Sequence, residues 1–206
     1  NAISSSGCAI ICLQETKKSV IDNMFIKSCC PKRFDKFAFV PSRGASGGIL
    51  TIWNSSAFTG DVVISNDFVF GVKFTSTIPA QSWSLYNVYG PCTGPAREDF
   101  IHSNDDCLFL GDFNFIRGPE NRNKPGGDPN DMCTFNDIIR KHNLIELPLK
   151  GRLYTWSNMQ QDPLVEQLDW FFTLLHWTNV CPNTLVMPLG KPVSDHVPCL
   201  VSIQTT

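Results

Sequence analysis

The sequence is sparing with charge and has no long apolar run. Only 17% of its 206 residues are charged, and 17 Lys and Arg against 19 Asp and Glu give a net charge of -2 and a pI near 6.1. That balance excludes wholesale electrostatic wrapping of nucleic acid, which needs many cations to release counterions from phosphates, so any polyanion contact must be local. The longest uninterrupted apolar stretch, Cys8 to Leu13, is far too short to span a bilayer. No charged-then-apolar leader opens the chain, so no secretory peptide is expected. Repeats, low-complexity tracts and linkers are absent as well, which points to a single domain over residues 1–206. There are nine cysteines, but no second Cys or His pair at zinc-site spacing accompanies Cys29-Cys30. Cys8, Cys12, Cys107 and Cys199 sit in apolar runs, where a free thiol behaves as a small buried hydrophobe. The expected protein is reduced and intracellular, nuclear or cytoplasmic, with no membrane partner.

What the chain does have is a 42% hydrophobic fraction, enough for a substantial core at this length. Cys8 to Leu13 reads as a strand buried on both faces, and Ser19 to Ile26 as a helix with Val20, Ile21, Met24 and Phe25 at helical spacing. Val-, Ile- and aromatic-rich runs at 37–40, 48–53, 62–65, 68–74 and 83–89 read as successive antiparallel strands divided by Gly, Asn, Asp or Ser. Cys107 to Gly111 is a further buried strand, and Met132 to His142 a helix with Phe135, Ile138 and Ile139 inward. Strands return at Leu153 to Trp156, Leu168 to Phe172 and Val197 to Ile203. This mixture, without regular αβ alternation, implies an α+β or sandwich arrangement.

Four polar motifs follow or start these runs in a fixed order: Leu13-Gln14-Glu15-Thr16, Gly111-Asp112-Phe113-Asn114, Gln167-Leu168-Asp169-Trp170 and Ser194-Asp195-His196. Each places a carboxylate, amide or imidazole at a strand end. Phosphodiester hydrolysis needs charge stabilisation at the phosphoryl oxygens, an activated water and help for the leaving alkoxide. Proteins supply these with a hard cation held by a few carboxylates. Glu15 is the candidate metal ligand, or else a carboxylate capping the next helix. Asp112 and Asn114, two apart, share one side, or else make an Asx turn after a strand. His196 with a carboxylate partner would be held cationic, whereas an isolated Asp-His is more often a surface loop pair. Asp169 has its own alternative as a polar residue on an outer strand face, and Tyr89 as a core tyrosine with a bonded hydroxyl.

Taken jointly, and with Asn87-Val88-Tyr89-Gly90-Pro91 between the first two motifs, the set resembles the endonuclease/exonuclease/phosphatase superfamily. Gly47-Gly48-Ile49-Leu50-Thr51-Ile52-Trp53, Tyr154-Thr155-Trp156-Ser157-Asn158 and Ser194-Asp195-His196-Val197-Pro198 extend the likeness to the apurinic-type endonuclease domain of plant LINE (non-LTR) retrotransposons, across essentially the whole chain. The resemblance implies two packed mixed β-sheets flanked by helices, Mg²⁺ or Mn²⁺ as cofactor, and a monomer that nicks DNA for target-primed reverse transcription. It gives Asp112 the attacking water and Asn114 a phosphate hydrogen bond. It gives His196 a non-bridging phosphate oxygen, with Asp169 as its partner, and Tyr89 a phosphate or leaving-group contact beside Asn87. Glu15 and Asp195 fall on the metal side. Arg117, Arg122 and Lys124, with Arg140, Lys141, Lys150 and Arg152 behind them, are weaker candidates for DNA phosphates, and a solvated loop is the competing reading.

Two departures accompany the likeness. The family opens with an Asn-bearing strand, but Asn1 to Gly7 look like the tail of the following helix, so the first core strand is expected to be missing. Between Pro91 and Cys107 only Ala96 to His102 offers a short helical piece where the family has a full helix. No reverse transcriptase region is expected after Thr206. Weak or absent nuclease activity and poor solubility are therefore expected, since a bared strand edge and core weigh against a domain stability of only about 5–15 kcal/mol. A non-catalytic retroelement remnant, or a relative hydrolysing phospholipid or inositol phosphate esters, are the alternatives.

Overall fold

Side chains branched at Cβ and aromatic rings fit a pleated, half-buried surface, and the runs that carry them become strands. The computed structural model describes residues 6–44, 46–77, 81–90, 106–190 and 194–204. These fall into two compact units: Asn1–Gly90 with His102–Gly111, and Pro91–Ile101 with Asp112–Thr206.

In the first unit, β1 (Ile10–Leu13), β2 (Lys36–Val40) and β3 (Ile49–Trp53) form an antiparallel sheet in the order β1-β3-β2. β4 (Phe58–Ser65), β5 (Val69–Ser76), β6 (Ser82–Tyr89) and β7 (Cys107–Asp112) follow one another in a second sheet. The two sheets pack face to face, with β3 against β5 and β6. All five residues of β3 are buried because its alternating side chains find cover on both sides. Leu50 and Ile52 join Ile11, Ile21, Ile26 and Phe34, which brings α1 (Asn23–Cys29) onto that face. On the opposite face the Trp53 ring meets Phe74 edge-on at 5.5 Å. The Asn87 amide of β6 crosses the same gap, donating to Leu50 O at 3.2 Å and to Thr51 Oγ1 at 3.3 Å.

Two sequence expectations are corrected here. β1, expected to be buried on both faces, buries only Ile11; among the described residues it pairs with β3 alone, and β3 takes the central place. An apolar run does not reveal how many neighbours a strand has. The helix expected from Ser19 starts four residues later, because the Asp22 carboxylate accepts the Phe25 N–H at 2.8 Å and caps it there. Val20 and Met24 are consequently exposed, while Ile21 and Ile26 are buried.

In the second unit, α2 (Pro129–Lys141) starts with Asp128 as its cap and Pro129 in its first turn. It buries Phe135 and Ile139. The Phe135 ring lies within 6.0 Å of those of Phe113, Phe115, Trp170 and Phe172. β8 (Ile145–Glu146) pairs with β11 (Asp169–Thr173), and β9 (Trp156–Ser157) with β10 (Val165–Glu166). After α3 (Leu175–Val180), β12 (Leu185–Pro188) pairs with β13 (Cys199–Ser202). The strand expected over Leu153–Trp156 begins only at Trp156, and Leu153 is exposed. The short helix expected over Ala96–His102 and residues 1–5 lie outside the described residues. The architecture is α+β, and among the described residues no helix is long and apolar enough to cross a membrane.

Gly111, next to last in β7, lies in a backbone conformation that only glycine adopts readily, with φ at +138°. A Cβ there would stand 2.1 Å from Val88 O of the neighbouring strand. Gly111→Ala is expected to destabilise the protein by at least about 2 kcal/mol, read as a lower urea midpoint. An unchanged midpoint would show that the two strands are not this close.

Candidate functional site

The second unit gathers three of the anticipated side chains. Asp112 closes β7, Asp169 opens β11, and His196 precedes β13. His196 Nδ1 lies 2.9 Å from Asp169 Oδ2, and His196 Nε2 lies 3.7 Å from Asp112 Oδ2. Among the described residues these three are the group of acidic, His or Cys side chains whose ligand atoms all fall within 4.8 Å of one another. Asp112 is buried, and the other two are half-buried.

Local bonding explains why these strand ends meet. The fully buried Thr155 hydroxyl accepts the backbone N–H groups of Leu168 at 3.1 Å and Asp169 at 3.0 Å. Thr155 N donates to Glu166 O, and Val197 N donates to Thr155 O. Phe113 N donates to Leu168 O, tying the residue after Asp112 to the residue before Asp169. Ser194 Oγ accepts the His196 N–H, and Trp156 Nε1 donates to Asp195 Oδ2 at 3.1 Å. Thr155, Trp156 and Ser194 were not read as site residues from sequence. Their signal was present in the Tyr154-Thr155-Trp156-Ser157-Asn158 and Ser194-Asp195-His196 stretches, but nothing in a linear string says which hydroxyl faces inward.

The electrostatics follow from this packing. Burial pulls the His196 imidazole toward neutrality, but the hydrogen bond and charge of Asp169, with the charges of Asp112 and Asp195, outweigh it and raise the pKa to about 8. Burial likewise opposes the Asp195 carboxylate, and the Trp156 bond, backbone N–H bonds and His196 together leave its pKa lowered. His196 is thus an imidazolium at neutral pH, held between carboxylates.

The remaining anticipated residues fall as follows. The Asn114 N–H donates to Asp112 Oδ1 at 3.0 Å, so an Asx turn does form, at φ +54°, and leaves the Asn114 side chain exposed. The carboxylate of Asp195 is exposed and outside the trio. Arg117 pairs with Glu146 and Asn136 and lies over the Trp170 ring. Arg122 pairs with Glu166 at 3.2 Å, and Lys124 with Asp162 at 2.6 Å. In the first unit, Glu15 is exposed at φ +51° with Lys17 Nζ 3.7 Å away. It caps no helix, since Asp22 does that. Asn87 is completely buried and accepts from Gln14 Nε2 at 2.5 Å, whereas Tyr89 is half-buried.

Oxygen donors are what a hard divalent cation requires, and Asp112 and Asp169 provide them. His196, protonated and bonded to Asp169, is better suited to meeting an anion. Two carboxylates against one imidazolium leave an anionic excess that suits a single cation completed by water and substrate oxygens.

Solved structures resemble the chain in fold. An AP endonuclease from Leishmania major superposes with a TM-score of 0.71 at 15% identity, covering 97% of this chain and 79% of that one. The chain has the AP endonuclease fold. The endonuclease domain of TRAS1, a telomere-specific non-LTR retrotransposon, gives a TM-score of 0.70 at 12% identity over 98% of this chain and 88% of its own. In sequence, the uncharacterized 149 kDa protein of transposon TX1 from Xenopus laevis is 25% identical over 114 residues, half of this chain and 9% of that protein's length. No protein-family model matches. The resemblance read from the four motifs is borne out in the fold.

A raised imidazole pKa ties stability to pH. The group's contribution, about 2 kcal/mol for a shift from 6.5 to about 8, is full below pH 6.5 and disappears as the pH rises through 8. His196 should titrate near 8 by imidazole NMR, and Asp169→Asn should bring it to 6.5 or below. A wild-type midpoint of 6.5 would refute the Asp169–His196 pairing.

Proposed function

We propose that the chain is a divalent-metal phosphodiesterase of the LINE retrotransposon endonuclease type, with DNA as substrate and Mg²⁺ or Mn²⁺ as cofactor. The observation that carries this reading is the imidazole of His196 set between the Asp169 and Asp112 carboxylates, which favour its protonated form. An imidazolium beside a buried carboxylate unites two things that diester hydrolysis needs, a cation for the phosphoryl oxygens and a base for water.

In this reading Asp112, buried and with one oxygen fixed by the Asn114 N–H, orients and deprotonates the attacking water. His196 donates from Nε2 to a non-bridging phosphate oxygen, while Asp169 holds the ring by Nδ1 and keeps it protonated. The Asn114 amide, exposed on the turn, hydrogen-bonds the same phosphate. Asp112 and Asp169 are the oxygen donors for the cation in this unit, and Glu15 and Asp195 are the further candidates that the family likeness supplies. When bound, the cation supplies Lewis-acid charge against the phosphoryl and leaving oxygens. Tyr89 and Asn87 keep the roles of leaving-group contact and support. The protein acts as a monomer in the nucleus or cytoplasm, with retrotransposon target nicking as its task.

Supercoiled plasmid incubated with Mg²⁺ should be nicked. Asp112→Ala and EDTA should each lower the rate by roughly 100-fold or more. Equal nicking by wild type and Asp112→Ala would refute the assignment. Because the phosphate contact requires charged His196, the rate should also decline as the pH rises past 8; an increase continuing through pH 9 would assign His196 another role.

A further inference from the structure

The three cations that the sequence places after the Asp112 motif are committed elsewhere. Arg117, Arg122 and Lys124 each meet a carboxylate of the same unit, respectively Glu146, Glu166 and Asp162. Arg140 pairs with Asp137 one turn earlier on α2. A cation beside a carboxylate presents less net positive charge to a phosphate than an unpaired one.

Arg152 differs. It is exposed, its Nε donates to Tyr154 O at 2.7 Å, and among the described residues no carboxylate pairs with it. Lys150, two residues earlier, is likewise exposed and has no ion pair among the described residues, and Gly151 between them turns the chain at φ +72°. The segment is anchored on both sides. Lys150 N donates to Val186 O, and Thr155, three residues beyond Arg152, holds the backbone of Asp169 through its hydroxyl and Val197 through its carbonyl. Arg152 is therefore tied by a few bonds to the segments bearing Asp169 and His196. The electrostatics of the Cys199 thiol accord with that placement. The thiol is pushed up to about 12, first by burial and then by the charge of Asp169, while the charge of Arg152 pulls it down. A single side chain thus feels both the site carboxylate and the unpaired guanidinium.

We infer that Arg152, with Lys150 beside it, is the phosphate-gripping element of this unit, engaging a backbone phosphate of the nucleic acid whose neighbouring diester lies against Asp169 and His196. The inference rests on the phosphodiesterase reading for the nature of the ligand. A guanidinium suits the role because its planar array of donors matches phosphate oxygens, and anchoring of Nε by Tyr154 O leaves the terminal nitrogens outward for them. The charge is local, as the overall balance of -2 requires.

The test is the salt dependence of binding. Fluorescence anisotropy with a short labelled duplex, in EDTA to prevent cleavage, gives the slope of log Kobs against log salt concentration. Arg152→Ala should flatten that slope by about 1, and Arg152→Ala with Lys150→Ala by about 2. Arg152→Lys should restore it, since the charge remains. Lys27→Ala, which removes an exposed cation of the other unit, should leave the slope as it was. An Arg152→Ala slope equal to wild type, or no binding by the wild-type protein, overturns the inference. Hydrolysis of bis(p-nitrophenyl) phosphate by the wild-type protein in Mn²⁺ judges the phosphodiesterase reading separately, because that small diester has no second phosphate for Arg152 to grip. Hydrolysis with an unchanged slope sinks Arg152 alone, and a flattened slope without hydrolysis sinks the reaction but keeps the grip.

Discussion

One buried hydroxyl organises the candidate site. Thr155 Oγ1 accepts two consecutive backbone N–H groups, those of Leu168 and Asp169, where β11 begins. An unmade bond at a buried N–H costs about 1–3 kcal/mol, so this hydroxyl fixes both where the strand starts and which way the Asp169 carboxylate leaves it. The Thr155 carbonyl binds Val197 N, one residue past His196, and its own N–H reaches Glu166. Two segments distant in sequence, 166–169 and the one at Val197, are held by the polar groups of one residue. The 2.9 Å pairing of Asp169 with His196 is a consequence of that arrangement.

Charge follows from position. Burial alone would leave His196 neutral and unable to attract an anion. Surrounded by Asp169, Asp112 and Asp195, it keeps its proton to about pH 8, so the site presents a fixed positive group next to a buried base. Arg117, Arg122, Lys124 and Arg140 are engaged in ion pairs, whereas Lys150 and Arg152 have none among the described residues. A protein of net negative charge can approach a polyanion only through such local exceptions.

The first unit solves a different problem with a similar device. Its two sheets meet over an apolar interface into which Asn87 is driven fully buried, and its amide is satisfied by Leu50 O, Thr51 Oγ1 and Gln14. A polar group in that setting is stabilising only when every bond is made, which fixes the register of β6 against β3. Gly111 shows the same closeness on the β7 side, where no Cβ fits against Val88 O.

By itself the sequence determined most of the strands (though not β8, β10 or β12), the α2 helix with Phe135 and Ile139 inward, and the identity of Asp112, Asp169 and His196 as chemical groups at strand ends, since period, turn residues and motif order are local properties. It misplaced the start of α1, where the Asp22 cap prevailed over apolar spacing, and it took β1 rather than β3 for the doubly buried strand. Tertiary structure alone decided which side chains meet. It left Asp195 outside the trio, consumed Arg117, Arg122 and Lys124 in ion pairs, and gave Thr155 its central part. Hydrogen-bond partners and ion pairs depend on distances between residues far apart in the chain, and no periodicity along a single string encodes those distances.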